Sequence, residues 1–144
     1  MRELLIQQLH EYVRENNPDL LWALQQEKLV NAWLEEKVDA IGLLIDELLK
    51  KNEPATMIMD RCTEELTRNL RPSKYHYIRE IVEQEFQAHY NRLEQAGVLL
   101  PELINLIIAC NPAFTELEFK EETEDDPHLR YCVMGIVEEY FEQH

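Results

Sequence analysis

Two pairs of side chains in this chain have the spacing that lets helical neighbours share a proton or a metal ion. Glu85 and His89 are four residues apart, and so are His128 and Cys132, which puts each pair on one side of an α-helix. Neither pair makes a site alone, because a catalytic zinc takes three protein ligands. The sequence contains no HExxH, no paired Glu-x-x-His, no glycine-rich phosphate loop and no GxSxG elbow. Cys62, Cys110 and Cys132 lie too far apart for a zinc or redox pair and read as small buried hydrophobes on helices. Catalytic, metal and cofactor residues are therefore assigned to none, and no cofactor is expected.

A third group is more distinctive. Between Arg61 and Arg79 stand five basic residues against two acids, in a chain whose net charge is −15. Within this stretch Pro72-Ser73-Lys74-Tyr75-His76-Tyr77-Ile78-Arg79 reads as the sharp start of a long helix. Pro72 keeps the chain out of the preceding helix, and the Ser73 hydroxyl can accept from a free N–H of the first turn. A helix start presents unpaired N–H donors and partial positive charge, so Arg71, Ser73, Lys74, Tyr75, Tyr77 and Arg79 form a candidate anion or interaction patch. Tyrosine and arginine are also common anchors of protein interfaces. The plainer reading is that these cations pair with neighbouring acidic helices.

The same region resembles a known family. Leu70, Ser73-Lys74-Tyr75, Ile78, Ile81-Val82 and Glu85-Phe86 are similar to the central motif of the bacterial helical family called domain of unknown function 1896. Further similarities are Glu15-Asn16-Asn17-Pro18 with Leu20, and Gly135-Ile136-Val137 with Glu139-Tyr140-Phe141-Glu142, so the resemblance spans nearly the whole chain. It departs at Asn69, Arg71, Pro72 and His76, where Gly, His, Phe and Asp are expected. The resemblance implies a helical fold and a bacterial setting, mainly in Bacteroidetes and near mobile conjugative elements. That family has no assigned activity, so no site residue is implied.

The elements that must position these residues follow from composition and period. At 144 residues with 45% hydrophobic content, the chain suits one domain burying about two thirds of its unfolded surface. Only three glycines are present, which leaves little material for hairpins and suits helices punctuated by Pro and Asn. The expectation is all-α: a single compact orthogonal or irregular bundle of five to seven helices over 1–144, with no internal repeat.

In chain order, a helix is expected over 2–15 with Leu5, Ile6, Leu9, Tyr12 and Val13 inward, ended by Pro18. His10 sits near that stripe as a packed or edge residue. Leu20 to Leu24 reads as an apolar patch without room for a full helix of its own, either capping the core or forming part of a second-helix start, and 26–51 as one long helix, the spine of the core. A helix from Pro54 to about Asn69 precedes a second long strut from Lys74 to about Ala96, ended by Gly97. Pro101 to Cys110 is apolar all round and reads as the buried centre, broken by Asn111-Pro112. The segment 116–126 carries seven acids and one lysine and reads as a solvated, mobile loop. Asp126 and Pro127 cap and begin the last helix.

These features narrow the function classes without choosing one. No apolar stretch reaches the length of a signal peptide core or a membrane span, so the expected setting is cytoplasmic and without membrane contact. The acidic charge disfavours direct binding of nucleic acid. The leading reading is a protein-interaction or accessory module, with another protein as partner, a homodimer also open, and an association with mobile genetic elements implied by the resemblance. One alternative is an acidic DNA mimic or anion-binding regulator of a DNA-processing protein; another is an unrecognised helical enzyme.

Overall fold

A computed structural model describes all 144 residues. The chain is 81% helical with no strand, and its nine α-helices exceed the expected five to seven. Its buried side chains gather in two clusters rather than in the one core expected, and the chain divides into compact units over 1–71 and 72–144.

The first unit is built from α1 (Arg2–Asn16), α2 (Pro18–Gln26), α3 (Val30–Ala40), α4 (Gly42–Lys50) and α5 (Ala55–Thr67), with a one-turn 3₁₀ finish at Arg68–Leu70. Helix α1 is its centre and packs against α2, α3 and α5. The expected stripe is its buried face: Leu5, Leu9 and Val13 are 0–2% exposed, whereas His10 is exposed. Asn17 takes the extended φ of −135° before Pro18 and ends α1, as the clash with a following proline ring requires.

One reading in this unit is resolved and another corrected. Of the two readings of the apolar patch at 20–24, the structure takes the helical one: the patch lies in α2, and Pro18 occupies its first turn with φ already set. The long helix over 26–51 is two helices broken at Ile41, where φ is −100° and ψ 15°. The pattern explains the break. Val38 and Leu48 are both buried, yet ten residues on a straight helix would set them about 80° apart around the axis. Breaking the helix beside Gly42, a weak helix former, lets both reach one core.

The second unit comprises α6 (Lys74–Glu85), α7 (Gln87–Gln95), α8 (Leu99–Glu116) and α9 (Pro127–Gln143). Helix α8 is the buried centre, packed by α6, α7 and α9, with Leu103, Ile104, Leu106, Ile107, Cys110 and Phe114 buried. Each such aliphatic side chain contributes about 1.5–3 kcal/mol on leaving water. The expected break at Asn111-Pro112 does not occur, and α8 runs through Pro112 to Glu116. Pro112 falls on the exposed side of the helix, in line with half-exposed Ile108, where the carbonyl that loses its N–H partner is nearest water.

The strut over 74–96 is also divided, at Phe86 with φ −133° and ψ 47°. Tyr90 follows Ile81 by nine residues, about half a turn around a straight helix, and both are buried. The bend reconciles them. Gly97 ends α7 as expected, with φ +73°.

Four helices close in the same way. After α2, α4, α7 and α8 a residue with positive φ donates three residues back and the next N–H donates five back: Lys28 to Gln25 and Leu29 to Leu24, Asn52 to Leu49 and Glu53 to Leu48, Gly97 to Glu94 and Val98 to Leu93, Glu118 to Thr115 and Phe119 to Phe114. This is the Schellman arrangement. Only one of the four turning residues is glycine.

The last of these closures sets the acidic segment. Phe119 folds back on Phe114 with ring centroids 4.7 Å apart and on Tyr77 at 5.0 Å. The Thr123 hydroxyl donates to the Glu118 carbonyl at 2.8 Å and accepts from the Lys120 N–H at 2.9 Å. The segment expected to be a mobile loop is thus tied into successive turns, with most of its acids exposed.

Candidate interaction surface

The start of α6 is where the sequence directs attention, and its local chemistry is as read: the Ser73 hydroxyl accepts from the His76 N–H at 3.1 Å. The six patch residues take separate roles. Arg71 lies in the first unit and turns back over the end of α5, donating to the Thr67 and Glu64 carbonyls at 3.4 Å each, which satisfies acceptors that a helix end leaves open. Lys74 donates to Asn111 Oδ1 at 3.0 Å and lies 5.3 Å from the Phe114 ring centroid. Arg79 donates to the Tyr75 hydroxyl at 3.3 Å and the Tyr90 hydroxyl at 3.2 Å. Its pKa is raised, chiefly by the Tyr90 hydrogen bond, with burial opposing. The partners of Lys74 and Arg79 are thus an amide and two phenols rather than the acidic side chains expected.

Tyr77 is different. Its ring packs edge-on against Phe114 at 5.8 Å and Phe119 at 5.0 Å, and its buried hydroxyl has no hydrogen-bond partner among protein groups. Burial pushes its pKa up to about 12, so at neutral pH it is a phenol that can only act as an uncharged donor or acceptor.

Folding brings acids to this region that the local sequence does not contain. A cleft of about 310 Å³ is lined by Ser73, His76, Tyr77 and Glu80 of the α6 start, by Glu124 and Asp125 of the acidic turns, and by Arg130 of α9. A neighbouring cleft of about 410 Å³ adds Arg79, Glu83 and Gln84. On the other side of Arg130 a third, of about 300 Å³, is lined by Glu85, Pro127, Arg130, Tyr131 and Met134. Arg130 forms the wall between the first and third and is held by Glu85 Oε1 at 3.2 Å and Gln84 Oε1 at 3.3 Å. Tyr131 beside it is 72% exposed. Neither Arg130 nor Tyr131 was singled out by sequence reasoning; an arginine and tyrosine adjacent at a helix start was the signal available.

The two helical pairs come apart in different ways. The bend at Phe86 separates Glu85, held by Arg130, from His89, which stacks on Phe141 with centroids 4.2 Å apart and planes 2° from parallel. His128 and Cys132 do meet, with Nε2 4.0 Å from Sγ. No group of three or more His, Cys, Asp or Glu side chains converges in a way that could hold a metal. Cys62 and Cys110 are buried, as expected, and burial raises both thiol pKa values, Cys110 to about 12. Cys132 is only partly buried, because it lies on the flank of the α9 stripe formed by Leu129, Val133 and Val137.

No family model, curated protein or solved structure matches this chain. The resemblance to domain of unknown function 1896 therefore gains nothing from these comparisons. No helix is long and apolar enough to cross a membrane.

Proposed function

We propose that the chain is a helical protein-interaction module whose contact surface is the face of the second unit around Arg130 and Tyr131. The observation that carries this reading is the position of Arg130 between two clefts, with Tyr131 largely exposed and Met134 lining the same hollow. Arginine, tyrosine and methionine are enriched in interface cores, and side chains flanked by hollows can be enclosed by a partner. The carboxylates of Glu80, Glu124 and Asp125 on one side favour a partner with a basic rim.

The test is site-specific photocrosslinking from position 131, with position 43 of the first unit as control, since Leu43 is exposed at 81%. The expected result is a discrete crosslinked protein from position 131 that disappears in Arg130→Glu while helicity is retained. Crosslinking from position 43 alone, or capture that survives Arg130→Glu, refutes the assignment of this surface.

One observation also favours the acidic-mimic reading. The acids of the 116–126 segment are held in hydrogen-bonded turns, which gives them fixed spacing, as imitation of a phosphate backbone requires. That reading demands a partner that normally binds DNA and is displaced by DNA as well as by salt.

A further inference from the structure

A different part of the second unit carries an inference that is independent of the surface just described. At the α6–α7 bend and the end of α9, a cleft of about 280 Å³ is lined by Phe86, His89, Glu138, Phe141 and Glu142. On α9, Glu138, Phe141 and Glu142 are three and four residues apart, so they share one side of the helix. The Phe86 and Phe141 rings are inclined at 49° with centroids 5.7 Å apart, which makes two walls of a corner. His89, which also lines the cleft, stacks on one face of Phe141. Its Nδ1 lies 2.9 Å from Arg92 Nη2, a contact in which the guanidinium can only donate. Both glutamates are exposed and neither is committed to an ion pair, unlike Glu85, which Arg130 holds.

We propose that this cleft binds the head group of an organic cation, an ammonium or guanidinium. The chemistry is complementary on two counts. Aromatic faces carry negative quadrupole charge and attract a cation within about 6 Å of the ring centre. The two free carboxylates add Coulomb attraction from the α9 side without needing to be stripped of water. Inorganic cations gain little from the rings, because they would have to shed strongly held hydration to approach a phenyl face; a weakly hydrated organic head group does not. Arg92 touches His89, which places a resident cation next to the ring stacked on Phe141.

The test uses full-length protein labelled with fluorophenylalanine and followed by fluorine NMR during titration with tetramethylammonium chloride, with sodium chloride as the control. The chain has four phenylalanines, and Phe114 and Phe119, which pack on each other and on Tyr77, serve as internal references. The expected result is a saturable shift at Phe86 and Phe141 only, absent with sodium chloride. Phe141→Leu keeps apolar bulk and removes a ring, and should weaken binding about two- to fivefold at Phe86. Glu138→Gln with Glu142→Gln changes only exposed groups, so it should leave the fold intact and weaken binding by about fivefold for each carboxylate. A short peptide with one lysine, run in parallel, distinguishes a side chain of another protein from a free amine as the source of the cation; the one that saturates at lower concentration is the better match. A shift that does not saturate, that sodium chloride reproduces, or that persists unchanged in both variants overturns the proposal and leaves only counter-ion accumulation on an acidic protein.

Discussion

Replacing Tyr77 by phenylalanine removes one oxygen from the aromatic trio of Tyr77, Phe114 and Phe119 and leaves its ring contacts in place. That oxygen is buried without a protein partner, and an unpaired buried hydroxyl costs about 1–3 kcal/mol. The ring as a whole is only partly buried, so the lower end applies and Tyr77→Phe should raise the unfolding free energy by about 1 kcal/mol at neutral pH. A second signature follows from ionisation. Burial lifts the phenol from 10.0 to about 12, so between those pH values the folded protein holds a proton that the unfolded chain has released. The stability carried by this group is therefore complete below the lower value and falls as pH rises through the upper one. The slope is at most about 1.4 kcal/mol per pH unit, and less here because solvent screens a partly exposed ring. Since the variant lacks this contribution, its advantage over the wild type should widen across the window. Urea titrations followed by circular dichroism at neutral and alkaline pH measure both effects as a midpoint shift at unchanged slope. If Tyr77→Phe instead lost about 1 kcal/mol or more at neutral pH, or declined in parallel with the wild type in alkali, the account of an unpaired, desolvated hydroxyl would be wrong.

Three further outcomes can be checked with the same titrations or simple chemistry. An added Cβ at Gly97 meets nothing within 4 Å, so Gly97→Ala should cost about 1 kcal/mol through its positive φ alone, while Glu118→Gly should gain a comparable amount; equal and negligible shifts would contradict the helix-end account. Gly135 lies within α9, and an added methyl there also meets nothing within 4 Å, so Gly135→Ala should stabilise by about 0.5–1 kcal/mol, and a loss would show a contact that the packing lacks. Cys110 is 0% exposed with its thiol pushed up to about 12, so a thiol reagent should modify Cys132 first and Cys110 only on unfolding; native labelling of Cys110 at the rate of Cys132 would refute its burial.

Much of the helical content was legible because its signals are local. Ser73 and Asp126 cap the helices they were expected to cap, Pro18 ends the helix it was expected to end, and the apolar stripes of α1 and α9 and the apolar run of α8 supply the buried side chains. The bends at Ile41 and Phe86 were missed because apolar residues three and four apart continue through both. The available signal was phase, since Leu48 and Tyr90 stand off the stripes that precede them on a straight helix. Run-through at Pro112 depends on which side of α8 faces water, which single-chain periodicity left open. The basic patch was read from neighbours in sequence, whereas its actual surroundings include Glu124, Asp125 and Arg130 from more than forty residues away. The stop at Lys50-Lys51-Asn52 was legible, because asparagine tolerates positive φ, whereas the helix ends at Lys28 and Glu118 carry no such marker.

The inward fold of Phe119 has a consequence for the connection between α8 and α9. A flexible link of this length would sweep out many conformations, and closing it would cost entropy that grows with the number of free residues. Seating one ring near its beginning and tying Thr123 to Glu118 and Lys120 shortens every free span to a few residues. Proteases act on chain drawn out into an extended strand, and none of the successive turns over 121–125 can be drawn out without first withdrawing that ring or breaking those ties. A segment whose composition suggests an easy cleavage point is therefore one whose cutting must wait for local opening, of the Phe119 seat or of the Thr123 ties.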